Sequence, residues 1–327
     1  MRTIAPSLTI LAGMLLPALL AAPAQATPVK VWIAGTGSDS NGCTVTAPCA
    51  TLQHAFGAVA AGGEISVASP GEFGPVIITR TVNISNDGGG EALIQSNQTA
   101  IALQTTPGDV LTLRGLVLDG MAIGSVGVRL GGPLGALHMQ NCVIKNFEGT
   151  NPSGNWGISY APSFASQLFI SNTLIYNNGS TANSGGILIG NQSAAGVNVV
   201  LDRVHLENNV IGLKVDNQLA SGTTGTTVVV RDSTLSSNAG DGINISVPAA
   251  RPGALVLVER SSVLGNGGTG ILSSGVHAIA LVSDSTVARN GSGVSAVGGG
   301  QLITYGDNRN NNNVGAEGTA TASFTLF

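Results

Sequence analysis

The sequence predicts an all-β chain wound as a single right-handed parallel β-helix, with a short capping helix near its N-terminus. Three observations carry this. From Val110 onward a unit of alternating apolar residues, a polar corner and a closing asparagine recurs; charged residues are only 9% of the 327, while glycine alone accounts for 47; and turn residues interrupt any stretch long enough for a helix between the short strands. Tight corners consume glycine and asparagine, and the surface of a coil stack is strand instead of charged helix.

Residues 1–26 combine one cation, Arg2, an apolar run from Leu8 to Leu20, and Ala24-Gln25-Ala26. This is the pattern of an export signal cleaved after Ala26. Pro17, Pro23 and the shortness of the run argue against a membrane anchor, and no later run of about 18 apolar residues follows, so no transmembrane segment is expected in the mature chain. Export would deliver it to the periplasm, the cell surface or the medium, and composition does not choose. A formal net charge of −4 disfavours nucleic acid and anionic membrane surfaces as partners.

Residues 27–63 read as a strand, a cystine loop and a cap. Lys30 to Ile33 alternates; Cys43 and Cys49, in NGCTVTAPC, are expected to pair as a disulfide in an exported chain, with two free thiols as the other reading. Leu52, Ala55, Phe56, Val59 and Ala60 then follow helical spacing up to Gly62-Gly63. A helix there covers the bare core of a first coil. His54 has no cluster of metal-ligand types around it in sequence, and no metal is expected.

Residues 64–305 form the coils and 306–327 a C-terminal loop and closing strand. Short strands at Glu64–Val67, Pro75–Ile78, Val82–Ile84, Leu93–Gln95 and Ile101–Leu103 precede the explicit repeat. Its aligned copies include LFISNTLIYNN from 168, VVLDRVHLENN from 199, VVVRDSTLSSN from 228, VLVERSSVLGN from 256 and ALVSDSTVARN from 280. Asn178, Asn209, Asn238, Asn266 and Asn290 are 31, 29, 28 and 24 residues apart, and each is followed by Gly-Ile, Gly-Leu or Gly-Val opening another strand. Leucine-rich repeats lack this frame, and propeller blades need a longer period. Right-handedness follows from the preference of parallel crossovers.

Stacking puts equivalent residues in contact, so each column is an expectation. Leu168, Val199, Val228, Val256 and Ala280 face inward, as do Ile170, Leu201, Val230, Val258 and Val282. Cys142 belongs to a small-residue column with Thr173, Val204, Ser233, Ser261 and Ser285, which makes it a packed thiol. The five asparagines form an internal amide ladder. Asp202, Arg231 and Glu259, beside Arg203, Asp232, Arg260 and Asp284, alternate in sign, so each charge is expected to stack on opposite charges above and below.

These features, with Gly35-Thr36-Gly37-Ser38-Asp39, Pro48-Cys49-Ala50-Thr51-Leu52-Gln53 and Tyr305-Gly306-Asp307-Asn308-Arg309, resemble the right-handed parallel β-helix, pectin-lyase-like superfamily over nearly the whole mature chain, as in small exported bacterial members. The resemblance implies fold strongly and activity hardly at all. Polygalacturonase, epimerase and pectin esterase motifs are missing, and a lyase-type site would want several Asp for calcium plus a free basic residue.

The longest loops and most aromatics lie between Asn146 and Gly186. Lys145, Tyr176 and Glu207 share an outward column there, and Trp156 is placed nearby on a loop. Lys145 and Glu207 are the catalytic candidates. Trp156 and Tyr176 are the candidate ligand platform, an aromatic face for a sugar; ordinary packing is the competing reading. His138, His205 and His277 stand apart, and NRNNNN at 308–313 reads as a terminal loop. The sequence therefore points to an exported non-catalytic β-helix, structural or carbohydrate-associated at a surface, with polysaccharide as partner and no cofactor. The alternative is a polysaccharide lyase or glycoside hydrolase acting on a uronate-containing polymer. Oligomeric state is not legible.

Overall fold

The computed structural model describes residues 27–151 and 154–325. The predicted export signal with its cleavage point at Ala26, and the closing position Phe327, lie outside them. Each coil has three faces. One coil runs Ala254–Glu259, turns at Arg260, continues Ser262–Leu264, turns at Gly265-Asn266, and returns through Thr269–Ser274. All pairings between coils are parallel, and the third faces stack as a nine-strand sheet from Val76–Ile78 to Ser292–Val297. The first two faces merge into one twenty-strand sheet because Ser166–Tyr176 and Val197–Glu207 run unbroken around their shared corner.

Register follows the predicted columns. Leu168 pairs with Val199, Val199 with Val228, Val228 with Val256 and Val256 with Ala280. Every one of these side chains is at most 1% exposed. Burying each leucine or valine stabilises by roughly 1.5–3 kcal/mol, and the smaller Ala280 by less, so the stack itself supplies the core.

Two corner columns hold the chain in left-handed backbone. Asn141, Asn172, Arg203, Asp232, Arg260 and Asp284 have φ between 43° and 54°, and Asn146, Asn177, Asn208, Ser237, Arg289 and Asn312 between 52° and 61°. Asn and Asp tolerate this region; Arg203 and Arg260 sit there at a cost of about 1–2 kcal/mol. The corner charges correct one expectation. Across coils each arginine reaches back and not forward, Arg231 to Asp202 at 3.2 Å, Arg260 to Asp232 at 2.8 Å and Arg203 to Asn172 at 2.7 Å, while Arg203 also meets Asp202 at 2.7 Å and Arg260 meets Glu259 at 3.9 Å within their own coils. Asp284 has no ion pair among the described residues, because the arginine on its N-terminal side, Arg260, is turned to Asp232.

Inside the second corner the asparagines stack. Each Oδ1 accepts both the backbone N–H and the Nδ2 of the asparagine one coil earlier, from Asn178 on Asn209 through to Asn290 on Asn313. Asn313 thus extends the ladder, so 310–313 is not the free loop expected: Arg309–Asn311 is a strand and Asn313 the last rung. The ladder also explains the repeated Gly at the start of each third face. A Cβ on Gly212 would lie 2.6 Å from Gly242 O and 3.0 Å from Asn238 Nδ2. The small-residue column turns out to be a second ladder, of hydroxyls. The Oγ atoms of Ser233, Ser261 and Ser285 accept the N–H of Val204, Ser233 and Ser261 and donate to the carbonyl two residues back.

The ends are covered differently. The helix Leu52–Ala58 buries Leu52, Ala55 and Phe56. It is shorter than its spacing predicts because Val59 is already extended, and Arg80 closes its C-terminus by donating to the Phe56 and Val59 carbonyls while stacking on the Phe56 ring. At the other end Ala322–Ser323 pairs beside Gln301–Thr304, while 316–317 backbone carbonyls accept from Gly293 and Val294. Cys43 and Cys49 are joined in a disulfide. No helix among the described residues is long and apolar enough to cross a membrane.

Candidate functional site

The predicted site residues divide between two faces. Lys145, Tyr176 and Glu207 are register partners on consecutive coils of the twenty-strand sheet. Lys145 lies 3.5 Å from Asp119, and Glu207 Oε1 lies within hydrogen-bond distance of His205 Nδ1, at 3.1 Å. Lys145 thus has its counter-charge within the strand surface, and Glu207 has a hydrogen-bond partner there. Trp156 is corrected. It opens the strand Trp156–Tyr160 of the nine-strand sheet, on a different face, and is 1% exposed. Its indole fills the room left by a glycine neighbour, since a Cβ on Gly154 would come within 2.8 Å of Nε1. A buried ring presents no face to a sugar, so Trp156 and Tyr176 do not form one platform. Tyr160 points inward as expected and donates to Gln167 O at 2.9 Å while bonding Ser166 Oγ; burial raises its phenol well above the ordinary range.

The thiols offer no chemistry of their own. Burial pushes the Cys142 thiol up to about 11, despite hydrogen bonds that act the other way, and its Sγ lies against the Gln140 and Leu113 carbonyls. Cys43, Cys49 and His54 bring ligand-type atoms within 4.8 Å of one another, but the disulfide occupies both sulfurs, and a thiolate is what a metal would need.

A groove lies instead on the outer face of the nine-strand sheet. A cavity of about 320 Å³ is lined by Arg129, Ser159, Leu188, Gln192, Asp216 and Gln218 among others. It adjoins a second, of about 590 Å³, over Ala102, Gln104 and Thr105, with Arg129 and Gly131 common to both. The strands beneath are Thr99–Leu103, Val126–Leu130, Trp156–Tyr160, Gly185–Gly190 and Ile211–Asp216, neighbours in that order. Four coil spacings make the trough about 19 Å long. Its floor is a register column, Ala102, Arg129, Ser159 and Leu188, beside Gly131, Ala161 and Gly190. Small side chains lower the floor, and Gln104, Gln192 and Gln218 rise from the loops at one side.

Arg129 is exposed and has no hydrogen bond or ion pair among the described residues. Asp216 is the single carboxylate lining either cavity, and Lys214 holds it at 3.3 Å while donating to Asn183 Oδ1 at 2.7 Å. A free guanidinium, neutral amides and a hydroxyl along a straight trough suit a polar polymer with a negative group over Arg129. Sequence reasoning passed over Arg129. The available signal was the coincidence, on successive coils, of Ala102, Gly131, Ser159, Ala161 and Gly190 at outward positions.

No family model matches the chain and no curated protein matches it. Among solved structures it is similar to the pectate lyase Pel9A, with a TM-score of 0.66 and 16% identity, over 91% of this chain and 78% of that one. It is also similar to the A-module of the Azotobacter vinelandii mannuronan C-5 epimerase AlgE4, at 12% identity over 81% of this chain and 91% of that one, but the TM-score of 0.38 is too low to argue from. With its coils, register and ends laid out, the chain has a parallel β-helix fold, shared with that pectate lyase.

Proposed function

We propose that the protein is an exported, non-catalytic β-helix that holds a polysaccharide strand in the groove over Arg129. The observation that carries the reading is the groove itself: a trough across five coils whose one free charge is a guanidinium. The fold shared with a pectate lyase supports a carbohydrate ligand. Glycoside hydrolysis in its usual form needs two carboxyl groups about 5–9.5 Å apart, and a calcium-assisted site needs several converging oxygens. The groove supplies Asp216 alone, tied to Lys214.

Calorimetric titration with a panel of soluble polysaccharides tests the binding, while absorbance of unsaturated ends and release of reducing ends test turnover. Binding without turnover is expected; robust turnover of any member of the panel refutes the non-catalytic reading. The second reading is a lyase or hydrolase acting on a uronate polymer at Lys145 and Glu207. Their shared column with Tyr176 favours it, and turnover abolished in Glu207→Gln would establish it.

A further inference from the structure

We infer that the groove is built for a mostly neutral heteropolysaccharide carrying one acidic sugar per several units, and not for a chain charged at every unit. This rests on the groove being the glycan site. Coils stack about 4.8 Å apart, comparable to the rise of one sugar unit in an extended chain, so successive sugars lie over successive coils. What each coil offers then sets what each sugar carries. The first offers Ala102, Gln104 and Thr105; the second Arg129; the third Ser159 and Ala161; the fourth Leu188, Gly190 and Gln192; the fifth Asp216 and Gln218.

Only the second coil presents an unpaired cation. A carboxylate-bearing sugar there gains a charge-assisted, two-pronged contact with the guanidinium. The same group over the third or fourth coil meets hydroxyl, methyl and amide, and over the fifth it meets Asp216, whose ion pair already occupies the Lys214 ammonium. A polymer acidic at every unit would place one carboxylate well and leave the others desolvated or opposed. The net charge of −4 adds a general repulsion of polyanions. Neutral hydroxyls, by contrast, match Ser159, Gln192 and Gln218 throughout.

The test is calorimetric titration of the full mature chain, at low and physiological salt, with three probes: a neutral galactan, gellan with its single uronate per repeat, and polygalacturonate. Gellan is expected to bind tightest. Arg129→Gln should weaken gellan about tenfold and galactan far less, with circular dichroism melting showing the fold intact. Gly190→Phe should abolish binding of every probe, since a Cβ at Gly190 meets nothing nearer than 3.7 Å and the ring projects into the trough. Polygalacturonate binding tighter than gellan, or gellan binding indifferent to Arg129→Gln, overturns the sparse-charge inference while leaving the groove in place. Binding that survives Gly190→Phe, or no binding of any probe, overturns the groove reading itself.

Discussion

Replacing Asn238 with leucine tests whether the amide ladder is structure in its own right. The Asn238 side chain makes four hydrogen bonds: Nδ2 donates to Leu206 O at 3.1 Å and Asn266 Oδ1 at 2.8 Å, while Oδ1 accepts from Asn209 N at 2.9 Å and Asn209 Nδ2 at 3.2 Å. Leucine removes all four. Asn266 Oδ1 keeps the Asn238 backbone N–H, and Asn209 Nδ2 keeps the Ile175 carbonyl. Asn209 N–H keeps nothing, in a residue 2% exposed. One orphaned donor costs about 1–3 kcal/mol, and the other lost bonds bring the total to about 3–5 kcal/mol. Burial of the new apolar side chain returns about 1.5–3 kcal/mol. The net is a destabilisation of about 2 kcal/mol, read as a lowered denaturant midpoint. Because a coil stack couples mainly to nearest neighbours, the local readout is sharper: the Asn209 amide should lose protection from hydrogen exchange while the Cys142 coil keeps its own. A variant as stable as wild type, with Asn209 still protected, would refute the reasoning.

Gly212→Ala should cost about 1–3 kcal/mol by crowding Gly242 O and the Asn238 amide, whereas Gly131→Ala, with nothing within 4 Å of the added carbon, should be neutral; urea midpoints separate them. Cys142 should resist iodoacetamide at neutral pH in the folded protein and react on unfolding, as its buried thiol is raised to about 11; rapid native labelling contradicts the packing. Glu64 accepts from Ser66 at 2.6 Å, and from Lys30 and Ser85, which together hold its carboxyl below the ordinary 4.5. A depressed folded value contributes stability above the unfolded value and loses it as pH falls through the folded one. The melting-temperature gap between wild type and Glu64→Gln should therefore be full at neutral pH and close in acid; a constant gap refutes the assignment.

The coil architecture was legible because every coil repeats the same solution. Val199, Val228 and Val256 could be aligned by eye, and their register followed. The corners were legible only in part. Asn172, Arg203 and Asp232 share a left-handed backbone that three unlike side chains do not announce, and Ser233, Ser261 and Ser285 read as small before they read as hydroxyl donors. Trp156 misled for a different reason. Loop composition around it suggested exposure, but Gly154, whose missing side chain leaves room beside the indole nitrogen, lets the ring pack once the coils are stacked.

Repetition and singularity carry opposite meanings in such a chain. A polar residue that recurs at one corner of every coil, like Asn209 or Asn238, finds its partner in its own copies, and its chemistry is spent along the axis. The charges at Asp202, Arg231 and Arg260 behave the same way, each arginine satisfied one coil back. Arg129 breaks the pattern: its column neighbours are Ala102 and Ser159, neither of which can answer a guanidinium. A cation that the stack does not neutralise, set in a trough whose floor carries Ala102, Ser159 and Gly190, is open to a counter-charge from outside the chain. On the proposed reading, a residue that stands outside the repeat is the one through which a ligand would be selected.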